Sequence, residues 1–186
     1  MAQKENQRIA LTKKLLQEGL LRLLEVKHLE KISVTELCKE AGINRATFYN
    51  HYNSPQELLT DLEKRMTTEL KATIGTPTTA DEIILHTEKV CTYFQENART
   101  ILTLHRAHSD DDLKDALYAL NQNFQLYRLK RNYTGSMDPH SLHLVSVFFY
   151  LGCYYIMLEW LERELPLTPK EVADLMIRLA SENFLE

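Results

Sequence analysis

Apolar residues recur at three- and four-residue spacing along most of this 186-residue chain, a pattern that predicts helices throughout and no sheet. Between about Lys4 and Val26, Leu11, Leu15, Gly19 and Leu23 form one i+4 row, and Leu16, Leu20 and Leu24 form its neighbour. Val34, Leu37, Cys38 and Ala41 mark a short second helix, and Arg45 to about Tyr52 a third that buries Phe48. A fourth helix runs from Pro55 to about Ile74, with Leu58, Leu59, Leu62, Met66 and Leu70 on one face. Asp81 to about Asn97 turns Ile84, Val90, Cys91 and Phe94 inward, and Ala98 to His108 carries Ile101, Leu102 and Leu104. Ser109 to about Arg131 follows through Leu113, Leu117, Leu120, Phe124 and Leu126, and the clearest loop spans Asn132 to Pro139. His140 to Glu164 is apolar on nearly every side. The last helix lays Val172, Leu175, Met176 and Leu179 on one face.

Polar punctuation supports these boundaries. Ser33 with Glu36, Ser54 with Glu57, and Thr168 with Glu171 each have the spacing of a capping box, and Pro55 and Pro169 suit first helical positions. Gly42 suits a positive φ at the end of the second helix, and Asn44 suits the cap of the third. Gly75 to Thr79 breaks the fourth helix. Three aspartates at 110–112 fit an acidic helix start better than a metal site.

Composition narrows the classes. The chain is 44% hydrophobic and 26% charged, as in ordinary globular proteins, and its five Gly and five Pro suit an all-α chain. The net charge of −4 is uneven. Residues 1–53 hold nine Lys/Arg against six Asp/Glu, whereas residues 54–186 hold thirteen against twenty. A basic head on an acidic body fits one end meeting phosphate. Three scattered cysteines, Cys38, Cys91 and Cys153, fall on apolar stripes and suit buried thiols in a reducing compartment. Charged residues interrupt every apolar stretch near the N-terminus, and the longest run free of both charged residues and His, Leu144 to Leu158, is fifteen residues, short of the ~20 that cross a bilayer. The expectation is a cytoplasmic protein with no membrane partner. No phosphate-binding glycine loop, GxSxG or HExxH is present, so no enzyme and no cofactor are predicted. His105 with His108 and His140 with His143 have i, i+3 spacing that can hold a metal, with Cys91 or His86 as further ligands. No third ligand clusters with either pair, and no metal site is predicted.

The stretch from Ser33 to Leu59 carries the chemistry. A short helix, a turn holding Gly42 and a second helix bearing Arg45, Thr47, Tyr49, Asn50 and His51 make a helix-turn-helix, whose second helix can enter the DNA major groove. An ordinary helical hairpin with a polar face has the same spacing. The residues Leu37-Cys38, Ala41-Gly42-Ile43 and Thr47-Phe48-Tyr49 with His51-Tyr52 resemble the DNA-binding signature of the TetR family of transcriptional regulators. The string from Ile43 to Tyr52 is similar to the subgroup common in low-GC Gram-positive bacteria.

The resemblance implies a DNA-binding domain over residues 1–53 and a regulatory and dimerisation domain over 54–186. It implies base contacts from Arg45 and Ala46 and phosphate contacts from Thr47, Tyr49 and His51. Asn44 and Asn50 of the same segment are also expected at the DNA contact, and Ser33 and Thr35 can hold phosphate from the start of the second helix. Where most relatives carry a Lys at the start of the fourth helix, this chain has Pro55-Gln56, which removes one expected phosphate contact.

Tyr150, Gly152, Trp160 and Leu161, with Leu167 to Ala173, resemble the end of the same subgroup's C-terminal domain. That resemblance implies that the last two helices pair with those of a second copy, with Phe148, Tyr155, Trp160, Val172, Leu175, Met176 and Leu179 at the contact. The expected activity is that of a homodimeric repressor on a palindromic double-stranded DNA operator, governed by a small-molecule effector whose contacts the residues do not single out. The rival is a metal- or small-molecule-binding helical protein with a vestigial DNA-binding unit.

Overall fold

The computed structural model describes residues 2–75, 79–107, 111, 113–115, 117–118 and 138–181, and within them the chain is all-α. The predicted elements over 119–137, including Leu120, Phe124, Leu126 and the loop to Pro139, lie almost wholly outside the described residues, as do His108, Asp110 and Asp112. The helices are α1 (Ala2–Leu24), α2 (Val34–Ala41), α3 (Arg45–Tyr49), α4 (Pro55–Ile74), α5 (Ala80–Glu96), α6 (Ala98–Arg106), α7 (Pro139–Glu162) and α8 (Pro169–Ser181). A 3-10 turn at Leu29–Lys31 links α1 to α2, and residues 113–115 and 117–118 are helical, with Leu113 and Leu117 buried.

Two compact units divide the chain. One comprises Met1–Met66 with Thr103–Asp110, the other Thr67–Leu102 with Asp111–Glu186, so α4 passes from the first into the second after Met66.

In the first unit, Leu16, Leu20, Leu21 and Leu23 of α1 are buried with Ile32, Leu37, Cys38, Phe48, Leu58, Leu59 and Leu62. Leu11 and Leu15 are exposed, so the first predicted row is buried only in its second half, at Gly19 and Leu23, beside Leu16 and Leu20 of the second row. Gly19 lets α1 touch α2: a Cβ placed there would lie 3.0 Å from the Ala41 Cβ and 3.2 Å from the Ala41 Cα, too close for any side chain without moving backbone. Two ion pairs also tie α2 down, Arg22 to Glu40 and Lys27 to Glu36. Glu36 therefore does not close the predicted box; Ser33 Oγ accepts from the Glu36 amide at 3.2 Å, and the carboxylate turns to Lys27 instead. Glu57 likewise reaches past Ser54 to the backbone and side-chain amides of Asn53, at 2.7 and 2.8 Å. Those hydrogen bonds hold its pKa below the ordinary carboxylate value.

In the second unit α5 packs chiefly against α8. Thr79 and Glu82 form a complete capping box that opens α5 one residue earlier than predicted. The buried stripe is Ile83, Val90, Cys91, Tyr93 and Phe94, and Ile84 faces outward instead of inward. The box predicted for the last helix forms, with the Thr168 amide 2.7 Å from the Glu171 carboxylate and the Glu171 amide 3.3 Å from Thr168 Oγ1. The turn before it is pinned by Trp160, whose indole N–H donates to the Leu167 carbonyl at 3.0 Å. Glu164 takes a left-handed φ of 48° at the end of α7, which lets the Leu165 amide reach the Trp160 carbonyl at 3.1 Å. At its other end α7 starts at Pro139, capped by Asp138, whose carboxylate accepts from the His140 and Ser141 amides at 2.9 and 3.1 Å.

By length and composition alone this 24-residue α7 is apolar enough to cross a bilayer, longer than the charge-free run suggested. Part of it is instead covered within its own unit: Ser146, Tyr154, Met157, Leu158 and Trp160 are buried, and the Tyr154 ring meets Phe94 of α5 edge-on at 6.4 Å.

Candidate nucleic-acid interface

The turn between α2 and α3 forms as the residue types dictate. Gly42 takes φ 66°, where a side chain would be strained, and the Ile43 amide returns to the Cys38 carbonyl at 2.9 Å. Asn44 then caps α3, its Oδ1 accepting from the Ala46 amide at 2.8 Å. That bond occupies the Asn44 oxygen and leaves its amide nitrogen as the group it can offer to a partner. The α3 helix ends at Tyr49, three residues short of the predicted end; Asn50 is its C-cap, and the His51 and Tyr52 amides both close onto the Phe48 carbonyl at 2.9 Å.

Phe48 is fully buried, with Tyr49 edge-on at 5.5 Å and Tyr52 tilted at 6.1 Å. With that ring fixed inward, Arg45, Ala46, Tyr49 and Asn50 are exposed, and Thr47 and His51 are half-buried. Arg45 makes no ion pair among the described residues, so its guanidinium keeps all its donors for a ligand. Ser33 and Thr35 are exposed at the start of α2, where free amides and the helix dipole favour an anion. Pro55 is buried and Gln56 exposed at the start of α4, so no cation stands there. The arrangement presents hydrogen-bond donors on one short helix locked from behind by an aromatic core, which is what reading base edges and gripping phosphate requires.

The residues expected at a contact between copies divide by burial. Phe148 and Tyr155 of α7 are 67% and 50% exposed, in line with Leu144 and Leu151 at 68% and 37%. These four stand at spacings of four, three and four and form one apolar stripe on α7. Leu175 and Leu179 are half-buried, whereas Trp160, Val172 and Met176 are already covered within one chain.

No trio of His, Cys, Asp or Glu suited to a metal occurs among the described residues. His143 shares a 3.2 Å hydrogen bond with the Tyr118 hydroxyl. Burial pushes the Cys91 thiol up to about 12 and that of Cys153 to about 11, so neither is a thiolate near neutral pH. Cys38 is raised as well, by burial that outweighs the opposing charge of Arg45. A groove between α5 and α8, lined by Ile84, Glu171, Asp174, Ile177 and Arg178, is open to solvent, unlike an enclosed cavity.

Among solved structures the chain is similar to the TetR transcriptional regulator from Streptococcus agalactiae 2603V, at 19% identity, 96% of this chain, 98% of that one and a TM-score of 0.68. It is similar also to FadR from Bacillus subtilis, solved in complex with stearoyl-CoA, at 12% identity, 91% and 97% coverage and a TM-score of 0.64. The dihydroxyacetone kinase operon activator DhaS gives 16%, 90% and 93%, and 0.56. At these identities the likeness is one of fold. No curated protein matches the sequence. Residues 81–182 match a TetR family model described as the transcriptional regulator C-terminal region. That match spans more than half of the chain, and the chain belongs to the TetR family of transcriptional regulators.

Proposed function

We propose that this regulator binds a palindromic operator as a homodimer, represses the adjacent genes, and is released by a small-molecule effector in the cytoplasm. Residues 1–53 make the DNA contact, residues 54–186 carry regulation and dimerisation, and no catalytic step is involved. The string from Ile43 to Tyr52 further assigns it to the subgroup typical of low-GC Gram-positive bacteria. The observation that carries the reading is the exposed set of Arg45, Ala46, Tyr49 and Asn50 on a helix capped by Asn44 and anchored by fully buried Phe48. Two-fold symmetry of the protein implies two-fold symmetry of the site, with recognition helices about 34–36 Å apart in successive major grooves. The bound stearoyl-CoA of the B. subtilis neighbour supports a small-molecule effector for a protein of this fold. Control of DNA binding then runs along α4, which leaves the first unit at Met66 and contains no Gly or Pro after Pro55. An effector acts only through its different affinities for the two head spacings, typically a coupling of about 1–3 kcal/mol.

Base and phosphate contacts separate by mutation. Arg45→Ala is expected to remove a bidentate base contact of about 1–3 kcal/mol, lowering discrimination between an operator and a scrambled duplex. Thr47→Ala is expected to weaken both duplexes alike. Titration of each variant on both duplexes checks the assignment, and equal losses on the two for Arg45→Ala would contradict it.

A further inference from the structure

Helices α1 and α4 and the turn that follows α3 converge on one carboxylate that the proposed DNA contacts do not use. Asp61 of α4 accepts at Oδ2 from the Tyr52 hydroxyl at 2.6 Å and from the Lys13 ammonium of α1 at 3.2 Å. The same ammonium lies 5.2 Å from the centre of the Tyr52 ring. Tyr52 is 3% exposed and lies in the turn just past α3, its amide bonded to the Phe48 carbonyl.

The α3 helix has five residues and too few internal hydrogen bonds to hold an orientation by itself. Phe48 fixes its depth in the core. A single ring leaves rotation about that anchor, and the hydroxyl of Tyr52, held on Asp61, is a second fixed point past the end of the helix. Burial raises the Asp61 pKa, but the hydrogen bonds from Tyr52 and Lys13 and the charges of Lys13 and Arg65 outweigh it, so the carboxylate stays ionised at neutral pH.

We propose that Asp61 is a positioning residue for operator recognition, setting the angle of α3 through the Tyr52 hydroxyl. Its site on α4 makes it the point at which a movement of that helix is handed to the recognition helix. The inference rests on reading α3 as the DNA-contacting element.

The test uses full-length protein, a duplex selected by the wild type and a scrambled duplex, at a temperature where circular dichroism shows every variant folded. Tyr52→Phe keeps the ring and removes only the hydroxyl; Asp61→Ala removes the acceptor. Each is expected to weaken binding to the selected duplex about 10-fold and binding to the scrambled one by less than 2-fold. The double variant is expected to lose no more than either single, because the two changes break one bond. Asp61→Asn retains an acceptor for the hydroxyl and is expected to restore binding to within about 3-fold of the wild type. Selective binding undiminished in Tyr52→Phe, additive losses in the double variant, or Asp61→Asn no better than Asp61→Ala would each overturn the proposal. A wild-type protein that selects no duplex would instead overturn the reading beneath it.

Discussion

Phe148→Glu is expected to convert the protein to monomers and abolish tight binding to a palindrome. Phe148 lies at the centre of the exposed α7 stripe of Leu144, Phe148, Leu151 and Tyr155. A run of that size on a helix of 24 residues is more than scattered surface apolarity, and it fits burial against a second copy. A carboxylate placed there would be taken out of water on dimerisation without a partner, at a cost of several kcal/mol. The same charge costs little in a separate chain, because the side chain is already 67% exposed. That makes Phe148 a cleaner site than Leu175, where half-burial against its own unit would mix folding damage with loss of dimer. Sedimentation of the variant checks this. A stable dimer with unchanged helix content would place the contact elsewhere.

Phe48→Ala is expected to lower the stability of the DNA-binding unit by about 3–5 kcal/mol, the usual range for emptying a buried phenylalanine site. A domain of this size has only about 5–15 kcal/mol in total, so the loss removes a large share of it. Phe48 shares a fully buried core with Leu16, Leu20, Leu37, Leu58 and Leu62, and both Tyr49 and Tyr52 rest on its ring. The α3 helix has no other buried side chain. Thermal melts followed by circular dichroism are expected to show an early transition for this variant and DNA binding lost with it. A melting curve superposable on that of the wild type would show that the ring does not anchor the helix.

Local signals carried most of the fold. Caps at Ser33, Asn44 and Thr168, the glycine at 42 and the apolar face of α4 all depend on residues within one turn of each other, and the sequence displays them directly. Local spacing misleads where phase or partner is decided at a distance. Ile83-Ile84-Leu85 is an apolar triplet with no phase of its own, and the fold buries Ile83 while Ile84 stays partly exposed in the open groove beside α8. Glu36 has the spacing of a box, yet Lys27 offers its carboxylate a charged partner. The α3 pattern runs past the end of the helix because His51 and Tyr52 keep helix-like hydrogen bonding without continuing it. Asp61 reads as one more solvent-facing acid on α4. One clue was present: Tyr52 at a buried position needs a partner for its hydroxyl. Which of the nearby acids supplies it depends on how α1 and α4 meet, and no spacing rule encodes that.

The central claim, that paired copies of α3 read a palindrome, is tested most directly by selecting duplexes from a random pool with the purified full-length protein. The account predicts enrichment of an inverted repeat with half-sites about one helical turn apart, bound by two copies of the chain and weakened as salt rises. Recovery of no common sequence, or of a single asymmetric site bound by one copy, would contradict it.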